Sequence, residues 1–366
     1  MKNLKYSAAA VLLATSSAAN ALNFDLTFIA GTSLQEQQSF TAAANMWSAI
    51  FNDNTTVKLT VGTGVLGANT LAQAGSRQLL FNYSSVRGAL AADASSAVDN
   101  LAVANLTGGS SFGMLINRTT DNPNGAGSAT AYVDNNGGGN NSRIRMTAAN
   151  ARALGANLSV GGVGTACTDC DAFIQFNSNF SFDHNRSDGI SATSFDFIGI
   201  AVHEIGHAMG FISGVDVLDI DSPPFNGPFT ADGFTFVSTL DLFRWSAASR
   251  DVGVIDWTAS SEDKFFSLDR GNTFEGQFSE GVNFGDGRQA SHWKDDLGIG
   301  ILDPTFARGE LGQISAMDIR AFDAIGWNVS AVPEPETYAM LLAGLGLLGF
   351  AARRRKQTVA QETIAA

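Results

Sequence analysis

The chain has 366 residues, a formal net charge of −13, 45% hydrophobic residues and two cysteines. That length supports one large core or two smaller ones, and the apolar content excludes a chain disordered throughout. Two cysteines exclude a disulfide-dense scaffold. The acidic balance speaks against nucleic acid as a partner, because phosphate binding needs concentrated Lys and Arg.

Residues 1–21 read as a secretory signal peptide. Lys2 and Lys5 form a basic start, residues 8–13 a short apolar run, and Ala19-Asn20-Ala21 a small-x-small cleavage pattern. Export through the Sec machinery is the expectation. Residues 23–29 alternate apolar and polar side chains, as a half-buried strand does. Residues 33–51 have helical spacing, with Phe40, Ala43, Ala44, Trp47, Ile50 and Phe51 on one face. Residues 55–61 form a β-branched strand. Residues 108–142, rich in Gly and Asn, read as surface loops around a short strand at 129–133. A helix is predicted over 147–154, a strand over 172–182 and a helix over 195–212. Residues 213–290 lack clear periodicity. The last helix spans 315–327, with Ser315 and Asp318 placed as a capping box. No repeat or linker interrupts residues 22–330, which read as one α+β domain.

The chemistry concentrates in His203-Glu204-Ile205-Gly206-His207. Two histidines four apart on a helix lie on one face, one turn apart, and both imidazoles can converge on one zinc ion. Glu204 projects beside them, able to take a proton from zinc-bound water and pass it to a leaving amine. Phe195, Ile198, Val202, Ile205 and Met209 form an apolar stripe, and the histidines fall outside it, where a cleft could reach them. With only four histidines in the chain, chance placement in this pattern is a poor explanation. A catalytic zinc takes three protein ligands, so a third is sought elsewhere: His292, His184 or Asp216. A glutamate ligand on a second helix, Glu262 or Glu310, has no convincing helical pattern behind it.

The run from His203 to Gly210 resembles the metzincin peptidases, although Ser213 stands where their motif commonly supplies the third ligand. His292, in Ala290-Ser291-His292-Trp293, followed by Leu302-Asp303-Pro304 and a final helix, resembles the leishmanolysin-like group. There, a long insertion separates the glycine from a third histidine often followed by Trp. The resemblance implies an insertion over about 211–291, His203, His207 and His292 as zinc ligands, Glu204 as the catalytic residue, and Leu302 in place of the Met-turn methionine. It also implies a metzincin-like fold: an N-terminal helix with a mixed twisted sheet, an active-site helix, and a C-terminal subdomain ending in a helix.

Other features have blander readings. Cys167-Thr168-Asp169-Cys170 reads as a local disulfide steadying a loop. Asp216, Asp219, Asp221, Asp232 and Asp241 could hold calcium, but the spacing matches no calcium loop and a solvated acidic face is favoured. Asp196 is expected to complement the N-terminus of the active-site helix. Phe225, Phe229, Phe234 and Phe236 are core or cleft residues.

Beyond Ser330, Val332-Pro333-Glu334-Pro335-Glu336 precedes an apolar stretch at 338–352 and then Arg353-Arg354-Arg355-Lys356. This order resembles the PEP-CTERM sorting signal of Gram-negative bacteria. The resemblance implies cleavage of the tail (331–366) by an exosortase, then release or display at the cell surface. The whole reading is an exported zinc endopeptidase acting on protein or peptide substrates. The alternative is a surface or matrix protein that keeps the zinc fold without cutting, and a zinc hydrolase of non-peptide bonds is a third.

Overall fold

The first strand, β1 (Asn23–Phe28), turns Phe24, Leu26 and Phe28 toward the core and its polar residues outward. The following helix, α1 (Leu34–Ser48), starts where the Ser33 side chain accepts the Glu36 N–H while Glu36 bonds back to the Ser33 N–H. This reciprocal pair satisfies two amides that a helix start leaves orphaned. Phe40, Ala43, Ala44 and Trp47 are buried along it, as their spacing predicts. The helix stops at Ser48, so Phe51 is buried from a short bridge to Val329 rather than from the helix face. The structure is a computed structural model and describes residues 22–222 and 229–330. The signal peptide (1–21), Phe225 and the tail (331–366) lie outside the described residues.

Then come β2 (Thr56–Gly64), β3 (Ala72–Ser76), β4 (Gln78–Asn82), α2 (Tyr83–Asp93) and α3 (Ala97–Asn105). Of these, only β2 is legible in the sequence. The Ala-Gln-Ala-Gly-Ser of β3 has no β-branched or aromatic residue, and its strand identity comes from its partner. The Gly- and Asn-rich segment carries β5 (Met114–Ile116), β6 (Tyr132–Asp134) and a one-turn α4 (Gly139–Ser142), so the strand expected at 129–133 starts three residues later and has a partner that composition hid. There follow β7 (Arg143–Thr147), α5 (Ala148–Ala153) and β8 (Ala172–Asn177), the last ending five residues before the expected limit. Cys167 and Cys170 are disulfide-bonded just before β8, as the bland reading has it.

The main sheet has the order β1-β2-β8-β3. β1, β2 and β8 run parallel, while β3 runs antiparallel to β8 with Ala74 opposite Ile174. Parallel neighbours need a crossover, and α1 provides it between β1 and β2. After the two-residue pair β9 (Phe182–Asp183) and β10 (Phe195–Asp196) comes α6 (Phe197–Met209). Three aromatics lock α1 and α6 onto the sheet. Phe40 meets Phe176 edge-on at 5.2 Å and Phe197 at 5.0 Å, and Phe176 stacks on Phe197 at 4.2 Å.

The aperiodic stretch is built from pieces too short to show a period. They are α7 (Val215–Asp221), β11 (Arg244–Trp245), α8 (Ala247–Val252), β12 (Ile255–Asp256), β13 (Lys264–Phe266) and β14 (Gly276–Phe278). β11, β13 and β14 form a small antiparallel sheet, and β12 joins β5. The final helix, α9 (Ala316–Ala324), has the predicted capping box of Ser315 and Asp318. Residues through Val329 form one compact unit of mixed helices and small sheets, an α+β architecture. No helix among the described residues is long and apolar enough to cross a membrane.

Of the acidic residues expected on a solvated face, Asp232 is exposed, but others are not. Asp219 and Asp241 are buried and Asp216 is half-buried. Asp219 accepts the N–H groups of Asn283 and Phe284, and Asp241 those of Gly214 and Ser238 plus the Trp257 indole. A long segment with little regular structure brings unpaired amides inside, and these carboxylates satisfy them.

Candidate metal centre

The helix α6 is buried almost all round. Of its thirteen residues, eleven are buried, Ile198 and His207 being the two that are not. The expected single stripe is therefore too narrow, and Phe195 lies before the helix on β10. Two indoles grip the helix: Trp47 donates to the Val202 carbonyl at 3.0 Å and Trp327 to the Met209 carbonyl at 2.9 Å. Asp196 does not bond the helix amides. It accepts the Gly312 N–H at 3.1 Å and pairs with Arg186, because the 312 loop reaches the carboxylate from the side.

Gly210 ends α6 with φ +121°, a conformation that disfavours any side chain. The turn sends the Phe211 carbonyl back to His207 Nδ1 at 2.7 Å. The other two rings have the same arrangement. His203 Nδ1 lies 2.8 Å from the Ile301 carbonyl, and His292 Nδ1 lies 3.2 Å from that of Gln289. A carbonyl only accepts, so each Nδ1 carries the proton and each Nε2 is left with a lone pair.

Those three Nε2 atoms face one another. His203 and His207 are 3.0 Å apart, His207 and His292 3.1 Å, and His203 and His292 3.3 Å. Three lone pairs converging at this spacing repel unless a cation sits among them. Tetrahedral zinc with Zn–N near 2.0–2.1 Å sets its ligands roughly 3.3 Å apart, so the donor set and its spacing fit zinc. Burial, then the neighbouring imidazole, pushes His203 down to about 3. Burial also lowers His207 and takes His292 well below the usual imidazole value. All three are neutral at pH 7, the state in which imidazole ligates. Among the described residues this is the one group of three His, Cys, Asp or Glu with donor atoms within 4.8 Å of one another.

Glu204 lines the same cleft, a cavity of about 1030 Å³. Its carboxylate makes no hydrogen bond among the described residues, and burial pushes it up to about 8. The free edge of β3 forms one wall of the cleft, and Phe236 and Val282 lie on its lining.

The remaining candidates do not join the converging donors. His184 packs on the Phe197 ring, with Nδ1 2.8 Å from Ser39 Oγ. Asp216 accepts hydrogen bonds from Ala290 and Ser291. Glu310 accepts the Ala307 N–H, and Glu262 offers only its backbone carbonyl, to Lys264. Of the three described phenylalanines, Phe234 is core, the exposed Phe229 meets it edge-on, and Phe236 reaches the cleft. Leu302 is fully buried under the helix, where a Cβ on Gly206 would come within 3.1 Å of it.

Asp318 has a wider role than its capping box suggests. One oxygen accepts the Trp293 indole N–H at 2.8 Å, and the other the Ile301 N–H at 2.8 Å. It thus fixes the neighbour of His292 and the residue whose carbonyl orients His203. The Ser315-Asp318 spacing signals the cap, but nothing local signals the other two bonds.

A family model described as the PEP-CTERM protein-sorting motif matches residues 331–356. No curated protein and no solved structure matches the chain. The motif marks an exported protein, sorted to the cell envelope or surface of Gram-negative bacteria and processed by an exosortase at its C-terminus.

Proposed function

We propose that residues 22–330 form a zinc endopeptidase of metzincin type, similar to the leishmanolysin-like group, working outside the cytoplasm after Sec export. The convergence of three deprotonated Nε2 atoms beside an unpaired Glu204 carboxylate carries this reading. His203, His207 and His292 would hold the zinc, which supplies Lewis acidity: it polarises a peptide carbonyl and makes water a stronger acid. Glu204 takes the proton from the attacking water. Burial raises its affinity for protons, which strengthens it as the accepting base, and it then passes that proton to the departing amine nitrogen. The unpaired edge of β3 offers its N–H and C=O groups to an extended substrate chain, which can add to the sheet as one more strand. That edge favours a peptide over other hydrolysable substrates.

The test is metal content and casein hydrolysis of the purified protein, with and without chelator, beside Glu204→Gln. The substitution is expected to keep zinc and to lower turnover by about 10²–10⁴-fold. Hydrolysis that survives it, or a native protein that takes up no zinc, contradicts the proposal. Zinc uptake with no hydrolysis of any peptide would support the non-catalytic alternative.

A further inference from the structure

One helix places two of the three imidazoles, but the third comes from 85 residues further along the chain than His207. It sits on a segment after β14 in which no residue belongs to a helix or a strand. Isolated backbone bonds hold its C-terminal side, where the His292 carbonyl accepts the Ser279 N–H at 3.0 Å and Trp293 bridges Phe278, but on its N-terminal side Ala290 and Ser291 are held by side chains. We infer that Asp216 is the positioning residue for His292, an inference that rests on the metal-centre reading of the triad.

Asp216 lies in the first turn of α7, on the cleft wall. Its Oδ1 accepts the Ala290 N–H at 2.6 Å. Its Oδ2 accepts the Ser291 N–H at 3.2 Å and also the Ser291 hydroxyl. These are the two residues immediately before His292. Ser291 Oγ in turn accepts the Ser213 N–H at 2.9 Å, from the turn that follows α6. One carboxylate thereby ties the distant histidine to the chain that directly follows α6, the helix carrying His207. Arg244 supports the segment from the other side, donating to the carbonyls of Ala290 and Ser279.

All three groups that face Asp216 here are donors. A carboxylate is the side chain that can accept from all of them, whereas an amide would turn an NH₂ toward one. Asp216 touches neither the imidazole nor the position of the metal. It acts through the backbone of residues 290 and 291. Groups of this kind outside the ligand shell typically change metal affinity by about 10–100-fold.

The experiment compares full-length native protein, Asp216→Asn, Ser291→Ala and His203→Ala by zinc competition against a chelating indicator. It adds amide hydrogen exchange of the metal-free forms and the visible spectrum after cobalt(II) loading. Asp216→Asn is expected to weaken zinc about 10–100-fold and to alter the cobalt bands. It should speed exchange at Ala290 and Ser291 while leaving the α6 amides unchanged. Ser291→Ala, a milder change, should weaken zinc several-fold. Zinc affinity within twofold of native in both variants overturns the inference. A native protein that takes up no zinc, yet shows faster exchange at 290 and 291 in Asp216→Asn, removes the metal reading and leaves the loop clamp standing.

Discussion

At the scale of single residues, the triad is defined by which nitrogen carries the proton. Each Nδ1 meets a backbone carbonyl, so each ring presents its lone pair inward. This arrangement has a measurable cost in acid. The unfolded chain's imidazoles take protons near pH 6.5, whereas the folded rings resist them. In the metal-free protein, stability therefore falls as pH drops below about 6.5. Between pH 7 and 5, the stability of the chelated native protein relative to His292→Ala should fall by about 1–2 kcal/mol. Denaturant titrations at the two pH values measure it, and a difference that does not change with pH contradicts the neutral triad. His203, Glu204 and His207 are legible in the sequence because helical spacing alone brings them together. His292 was identified by family resemblance, since its distance along the chain says nothing about its position in space.

At the scale of elements, the site depends on how α9 meets the loops beneath α6. Asp318 caps its own helix and also holds Trp293 and Ile301. Losing a cap typically costs about 1 kcal/mol, and two further buried donors left unsatisfied cost more. Asp318→Ala is thus expected to destabilise the protein by about 2–4 kcal/mol. It should also weaken zinc binding, since both His203 and His292 lose support. Chemical denaturation and metal competition read these two effects. A loss near 1 kcal/mol with native zinc affinity would mean the residue is a cap and nothing more. The capping box was visible in the sequence because its partners are three residues apart. The edge strand β3 was not, because its small residues show no strand pattern and β8 imposes the pairing.

At the scale of the whole molecule, the end of the domain is held by a cluster of carboxylates. Asn328 donates its backbone N–H to Asp53 and its side-chain amide to Asp93, while its own side-chain oxygen accepts from Ser95. Burial pushes Asp53 up to about 7, and its second oxygen has no partner among the described residues. The folded state binds this proton more tightly than the unfolded chain does, so stability declines as pH rises from about 4 to 7. Asp53→Asn should be more stable than native by roughly 1–3 kcal/mol at pH 8, with the gap closing near pH 4. Thermal melts across that range test the sign, and a gap that widens toward pH 4 would refute it.

The sequence alone determined what local chemistry can determine. The histidine-bearing helix follows from the spacing of its residues, the capped start of α9 from side chains three apart, and the sorting tail from the order of its Pro-Glu, apolar and basic parts. Each is written within a few consecutive residues, where chain connectivity fixes the distances. Tertiary structure alone decided that His292 joins the pair, that three carbonyls set the tautomers, and that Asp216 and Asp318 anchor loops rather than face solvent. Those contacts join residues far apart in the chain, and only the packing of a buried aromatic core, with buried amides in need of acceptors, brings them together.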